Sequence, residues 1–136
     1  MRDQWIKWEP NISVQQKYFI KKIVDDESGL YIFLVSTEDD SKICIEFPGA
    51  VYAYRSMDEL SALGTMDHVV DEEGHFIASD WTFFLVEKSS YAEKIKDSSK
   101  GVYSDYNLIH FAVISGESLF EVITDMVPHF IEGWEK

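Results

Sequence analysis

Residues 17–36 read KYFIKKIVDDESGLYIFLVS, and this stretch decides the fold. Two runs rich in β-branched and aromatic residues, 17–24 and 30–36, flank the acidic turn formed by Asp25, Asp26, Glu27, Ser28 and Gly29, a pattern that predicts an antiparallel hairpin. A second acidic turn, Glu38, Asp39, Asp40 and Ser41, leads to residues 43–47 (ICIEF), where Ile43, Ile45 and Phe47 alternate onto one face. A third strand therefore follows the second. Pro48 and Gly49 break the ladder, and residues 51–54 (VYAY) are expected as a fourth, shorter strand at an edge.

Two short helices are expected from capping boxes, in which a hydroxyl acceptor stands three residues before a glutamate. Ser56 with Glu59 predicts a helix over about residues 57–63, ended by Gly64. Ser90 with Glu93 predicts another over about residues 91–98, with Lys94, Lys96 and Lys100 toward the negative end of its dipole and Gly101 beyond it. Between them, residues 81–86 (WTFFLV) are apolar on both faces, which suits a central strand covered on both sides. Residues 110–114 and 119–123 flank Ser115, Gly116, Glu117 and Ser118, and a tight turn starting at Gly116 would pair them as a second hairpin. Strands come in hairpins and helices are few, so the expected class is α+β: a predominantly antiparallel sheet with one or two short helices packed against it, in a single domain covering residues 1–136.

Composition sets the outer bounds. With 46% hydrophobic and 15% aromatic residues, the chain has ample apolar surface to offset the chain entropy lost on folding. Residues 1–10 show no basic stretch followed by an apolar run, so no secretory signal is expected. No apolar run approaches the roughly 20 residues of a membrane-spanning helix. Cys44, the only cysteine, sits between Ile43 and Ile45, where a thiol packs as a small hydrophobe. These features fit a reducing, cytoplasmic setting.

Charge is the largest departure from an ordinary domain. The formal net charge is −13, and it is uneven: residues 23–80 hold only Lys42 and Arg55 against fourteen acids, whereas residues 1–22 hold five bases and two acids. Such a field repels phosphate backbones and anionic lipid, and it speeds the approach of basic proteins. A basic protein partner is expected, with no direct binding to nucleic acid or membrane.

Chemistry-bearing motifs are sparse. The glycines are scattered at turns, so no loop is built to cradle a phosphate, and no cofactor is expected. His68 and His75 flank Asp71, Glu72 and Glu73, a set that could supply nitrogen and oxygen ligands for a metal-dependent enzyme, but at a spacing matching no helical ligand pair. A solvated acidic loop around Gly74 is the simpler reading. His110 opens an apolar strand and is expected to be hydrogen-bonded and partly buried, without a catalytic role. Adjacent carboxylates in turns cannot face one another across a cleft, as paired acid and base must. What remains is a mixture of carboxylates and large aromatics: Asp80 beside Trp81, the run Tyr103, Ser104, Asp105 and Tyr106, and Tyr52 and Tyr54 close to Arg55. Tyrosine and arginine anchor many protein interfaces, and surrounding acids orient a basic partner.

The aromatic strand 81–86, the capped helix 90–98, and the late pair 107–113 and 118–123 give the chain a style that resembles the small acidic immunity proteins encoded by bacteria beside polymorphic secreted toxins. The resemblance covers the C-terminal part of the chain and assigns no residue by motif. It implies a protein that is not an enzyme and neutralises a cognate toxin, often a basic nuclease, by binding it. The acids Asp25, Asp26, Glu27, Glu38, Asp39, Asp40, Asp71, Glu72 and Glu73 would then pair with toxin lysines and arginines, and Tyr103, Asp105 and Tyr106 would anchor the contact. The alternative is a subunit or adaptor of a cytosolic complex, including a homodimer formed through a sheet edge.

Overall fold

A computed structural model of the chain describes residues 3–10, 12–58, 69, 81–115 and 118–134. In chain order its elements are β1 (Gln4–Lys7), β2 (Tyr18–Asp26), β3 (Gly29–Ser36), β4 (Lys42–Glu46), β5 (Val51–Asp58), β6 (Phe83–Glu87), α1 (Ser90–Ser98), β7 (Ile109–Ile114), β8 (Ser118–Thr124) and β9 (His129–Glu132). The strands form two antiparallel sheets, one in the order β1-β6-β7-β8-β5 and the other β2-β3-β4-β9.

The hairpin of residues 17–36 is present as β2 and β3, with Ile23 opposite Ile32 and Asp26 opposite Gly29. Gly29 has φ +129, a conformation that side chains other than glycine's adopt only under strain. Asp26 shapes the same turn, because its Oδ1 accepts from the backbone N–H of Ser28 at 2.9 Å and from the Ser28 hydroxyl at 2.7 Å. β4 adds to β3 as expected. β7 and β8 form the late hairpin, closed where Ser115 N donates to Ser118 O at 2.9 Å; Gly116 and Glu117 lie outside the described residues. β6 starts at Phe83, two residues later than expected, and is an interior strand between β1 and β7, with Phe83, Phe84 and Val86 buried.

Where one sheet was expected there are two, joined by a shared core. Tyr18, Leu30, Ile32, Leu34, Ile43, Ile45 and Phe130 from the four-stranded sheet meet Phe83, Phe111, Val113, Phe120 and Val122 from the five-stranded one. Phe130 sits 4.9 Å from Phe83, ring centre to ring centre and nearly perpendicular, a favoured edge-to-face contact. β2 starts beside β6, where Tyr18 N donates to Thr82 Oγ1 at 3.1 Å, and ends beside β5, where the Tyr54 hydroxyl donates to Asp25 at 2.8 Å. It therefore crosses several strands of the other sheet.

Residues 51–54 are a strand at an edge, but β5 is longer than expected and pairs with β8 instead of joining β4. This overturns the start of the helix expected after Ser56. Ser56, Met57 and Asp58 lie in β5, opposite Phe120, Leu119 and Ser118, because cross-strand pairing along β8 outweighs a local capping signal. The rest of that expected helix lies outside the described residues.

The second helix is present one residue earlier than its capping box suggested. Ser89, not Ser90, caps α1: its Oγ accepts from Ala92 N at 2.9 Å. Ser90 turns instead to Asp3, whose carboxylate accepts from Ser90 N at 2.8 Å and adds negative charge at the positive end of the helix. α1 lies on the outer face of the five-stranded sheet, where Tyr91 and Ala92 pack with Ile123. Past the helix, Lys100 at φ 55 and Gly101 at φ 93 reverse the chain, and Tyr103 N donates to Ser99 Oγ at 2.9 Å. These contacts fix where residues 103–106 emerge.

Candidate protein-binding surface and buried polar chain

The acids singled out in the sequence do not form one cluster. Asp25, Asp26 and Glu27 lie at the β2–β3 turn, whereas Glu38, Asp39 and Asp40 lie at the opposite end of the same sheet, between β3 and β4. Several already have structural work. Asp39 accepts from the Ser41 hydroxyl at 2.7 Å and from the Gln15 side chain at 3.1 Å. Hydrogen bonds from Ser41, side chain first and then backbone, hold its carboxyl below the usual range, and those from Ser28 do the same for Asp26. Asp71, Glu72, Glu73, His68, His75 and Asp80 lie outside the described residues.

The tyrosines do converge. Tyr52 on β5 contacts Tyr103 at 4.9 Å and Tyr106 at 5.9 Å, and Tyr103 contacts Tyr106 at 4.9 Å, all between ring centres. The Tyr52 hydroxyl donates to Asp125 Oδ2 at 3.1 Å, and Asp125 Oδ1 accepts from Ala50 N at 3.0 Å. Partial desolvation and the adjacent Asp125 carboxylate raise the Tyr52 hydroxyl's pKa, so it stays a neutral donor. Tyr54 packs on Phe120 toward the other sheet and is 41% exposed. Tyr106 in this cluster is exposed, and so are Asp105 and Asp125; Val102, Met126 and Val127, close to these residues in sequence, are exposed too. The result is an aromatic surface beside the exposed carboxylates Asp105 and Asp125.

The outer face of the four-stranded sheet has the opposite character. Lys22 lies 4.9 Å from the ring centre of Phe33 and Lys42 lies 5.0 Å from that of Trp134. Two of its aromatics, Phe33 and Trp134, are thus covered by cations.

Sequence reasoning missed a chain of polar groups beneath α1. Ser89 Oγ lies 2.7 Å from Nδ1 of His110, Nε2 of His110 lies 2.8 Å from Oε2 of Glu121, and Arg55 Nε donates to Glu121 Oε1 at 2.6 Å. His110 and Glu121 are buried, at 2% and 1% exposure. Burial pushes the Glu121 carboxyl up, but hydrogen bonds from His110 and Arg55, with their charges, outweigh it and hold the group below its ordinary range. The Arg55 guanidinium also lies 3.9 Å from the Tyr91 ring centre. Residue periodicity could have placed Arg55, His110 and Glu121 on one sheet face, but only the register of β5, β7 and β8 brings them together.

Cys44 is free and buried as expected. Burial, aided by the Glu46 carboxylate, pushes its thiol up to about 11. Among the described residues no three His, Cys, Asp or Glu side chains group to hold a metal ion, and no helix is long and apolar enough to cross a membrane. Comparison with protein-family models, with curated proteins and with solved structures found no match.

Proposed function

We propose that this chain is a binding module for a basic protein, of the kind an immunity protein forms with its cognate toxin. The observation that carries this reading is the tyrosine surface of Tyr52, Tyr103 and Tyr106, with Asp105 and Asp125 beside it, in a chain of net charge −13. Tyrosines supply wide contact area with few rotatable bonds, so little entropy is lost when they are covered. The carboxylates draw in a cationic partner and set its orientation. In this mechanism lysines and arginines on the partner approach through the acidic field, pair with Asp105 and Asp125, and leave Tyr52, Tyr103 and Tyr106 to fill the contact. A toxin whose own substrate is an anion would be blocked by the same charges that bind it.

The test is capture from a lysate of the source organism with the tagged full chain, at about 50 mM and about 500 mM salt, where the screening length falls severalfold. Recovery of one basic protein at low salt, lost at high salt, supports the reading. Recovery of the bait alone at both salts opposes it.

A further inference from the structure

The Ser89, His110 and Glu121 chain places a hydroxyl, an imidazole and a carboxylate in hydrogen-bond reach of one another, in that order. An ionised carboxylate only accepts hydrogen bonds, so Nε2 of His110 carries a proton directed at Glu121 Oε2. When the ring carries that proton alone, Nδ1 is the lone-pair nitrogen, and it faces Ser89 Oγ at 2.7 Å. Ser89 Oγ accepts from Ala92 N and can direct its own hydrogen at Nδ1 in that state. Hydroxyl, imidazole base and orienting carboxylate thus stand in the order of an activated nucleophile. The imidazole is held by edge-on contacts to Trp5 at 6.0 Å and Tyr91 at 5.5 Å, and Arg55 keeps Glu121 ionised.

The chain also meets open space. A cleft of about 340 Å³ is lined by Ser89 and His110, by the apolar Ala92 and Leu108, and by the donors Lys96 and Asn107. Ser89, at 7% exposure, is the more accessible of the two, with His110 at 2%. Ser89 also sits where β6 turns sharply into α1, after Lys88 at φ 54.

We propose that Ser89 is a nucleophile toward carboxylic esters of short acyl chains, with His110 as its general base and Glu121 as the positioning residue. Ser89 Oγ bonds to the ester carbonyl carbon while its proton passes to His110 Nδ1. Lys96 and Asn107 are the donors in the cleft wall that can meet the negative oxygen. The bond to the alcohol oxygen then breaks, and the alcohol leaves with the proton from Nδ1. Water attacks the acylated Ser89, its proton moving to Nδ1 and then to Ser89 Oγ. The balance is ester plus water to acid plus alcohol. This activity is independent of the protein-binding reading, and either can fail alone.

The test treats the full chain with a fluorophosphonate probe and with p-nitrophenyl acetate. The expected result is one phosphonyl adduct per chain, located on Ser89 by peptide mass, and hydrolysis that drops to background in Ser89→Asn. Asparagine serves as well as serine at a helix N-cap, so that variant keeps the start of α1. Glu121→Gln is expected to lower the rate by about a hundredfold, within the range of acid–base contributions, and to move the pH profile. A folded wild-type chain that takes no adduct overturns the proposal, and so does a Ser89→Asn variant that hydrolyses at the wild-type rate. Should the variants unfold, labelling of the wild type alone still decides.

Discussion

The Tyr52 hydroxyl donates to Asp125 Oδ2 at 3.1 Å across 73 positions of sequence, tying the edge strand β5 to the connection between β8 and β9. Through this bond the tyrosine cluster rests on a carboxylate whose other oxygen already holds Ala50 N. The binding surface is therefore built from chain segments that only the fold brings together.

Gly49 guards that arrangement. A methyl group at this position would overlap the Asp125 carboxylate and press on Met126. Gly49→Ala is expected to displace Asp125, free the Tyr52 hydroxyl and cost about 1–3 kcal/mol, as overpacking does. Urea denaturation measures the cost, and fluorescence of the tyrosine cluster reports the displacement. A variant as stable as the wild type with the same spectrum would show that Asp125 has room to yield.

Acid should weaken the molecule through Glu121. Its carboxyl titrates lower in the folded chain than in the unfolded one, because donation from His110 and Arg55 outweighs burial. The sign follows: the stabilisation is fully present above the unfolded value of about 4.3 and disappears as pH falls through the folded value. Glu121→Gln is expected to be less stable at neutral pH and to lose less on acidification. Urea midpoints for both chains between about pH 6 and pH 3 provide the check.

Glu121→Ala is the harsher change, because it strands a buried imidazole donor and the Arg55 guanidinium. Breaking a buried pair from one side costs about 3–5 kcal/mol, with the lower end expected here because the Arg55 side chain is 41% exposed. Arg55→Ala, which still leaves His110 bonded to Glu121, should cost less. Equal losses for the two variants would contradict the assignment of His110 as the second partner.

Cys44 is expected to resist alkylation. At pH 8 a thiol that titrates near 11 is thiolate in about one molecule in a thousand, and burial blocks the reagent as well. Iodoacetamide should modify the native chain slowly and the urea-unfolded chain rapidly, read by intact mass. Prompt labelling of the native protein would mean that β4 opens.

Periodicity and turn chemistry made much of the fold legible. The hairpin of residues 17–36, the strand at 43–47, the apolar strand after Trp81, the helix near 91–98 and the late hairpin all announce themselves locally. β1 and β9 do not, since each is four residues long and buries one side chain, Trp5 or Phe130. The division into two sheets was equally hidden, because alternation marks a buried face without naming what covers it. Of the candidate site, Tyr103, Asp105 and Tyr106 were visible as a local run, whereas Asp125 and the grouping with Tyr52 depend on long-range pairing. Ser89, His110 and Glu121 stand 21 and 11 positions apart, at spacings that carry no signal without the strand register.

Binding of a basic protein through the tyrosine surface is decided by comparing three baits for capture of that protein from lysate at low salt. One is the wild-type chain, one carries Asp105→Asn with Tyr106→Ala on the exposed rim of the tyrosine cluster, and one carries Glu38→Gln with Asp40→Asn at the far turn. The wild type and the far-turn variant are expected to retain the same basic protein, and the rim variant to lose it. Retention by all three, or loss from the far-turn variant alone, would contradict binding through that surface.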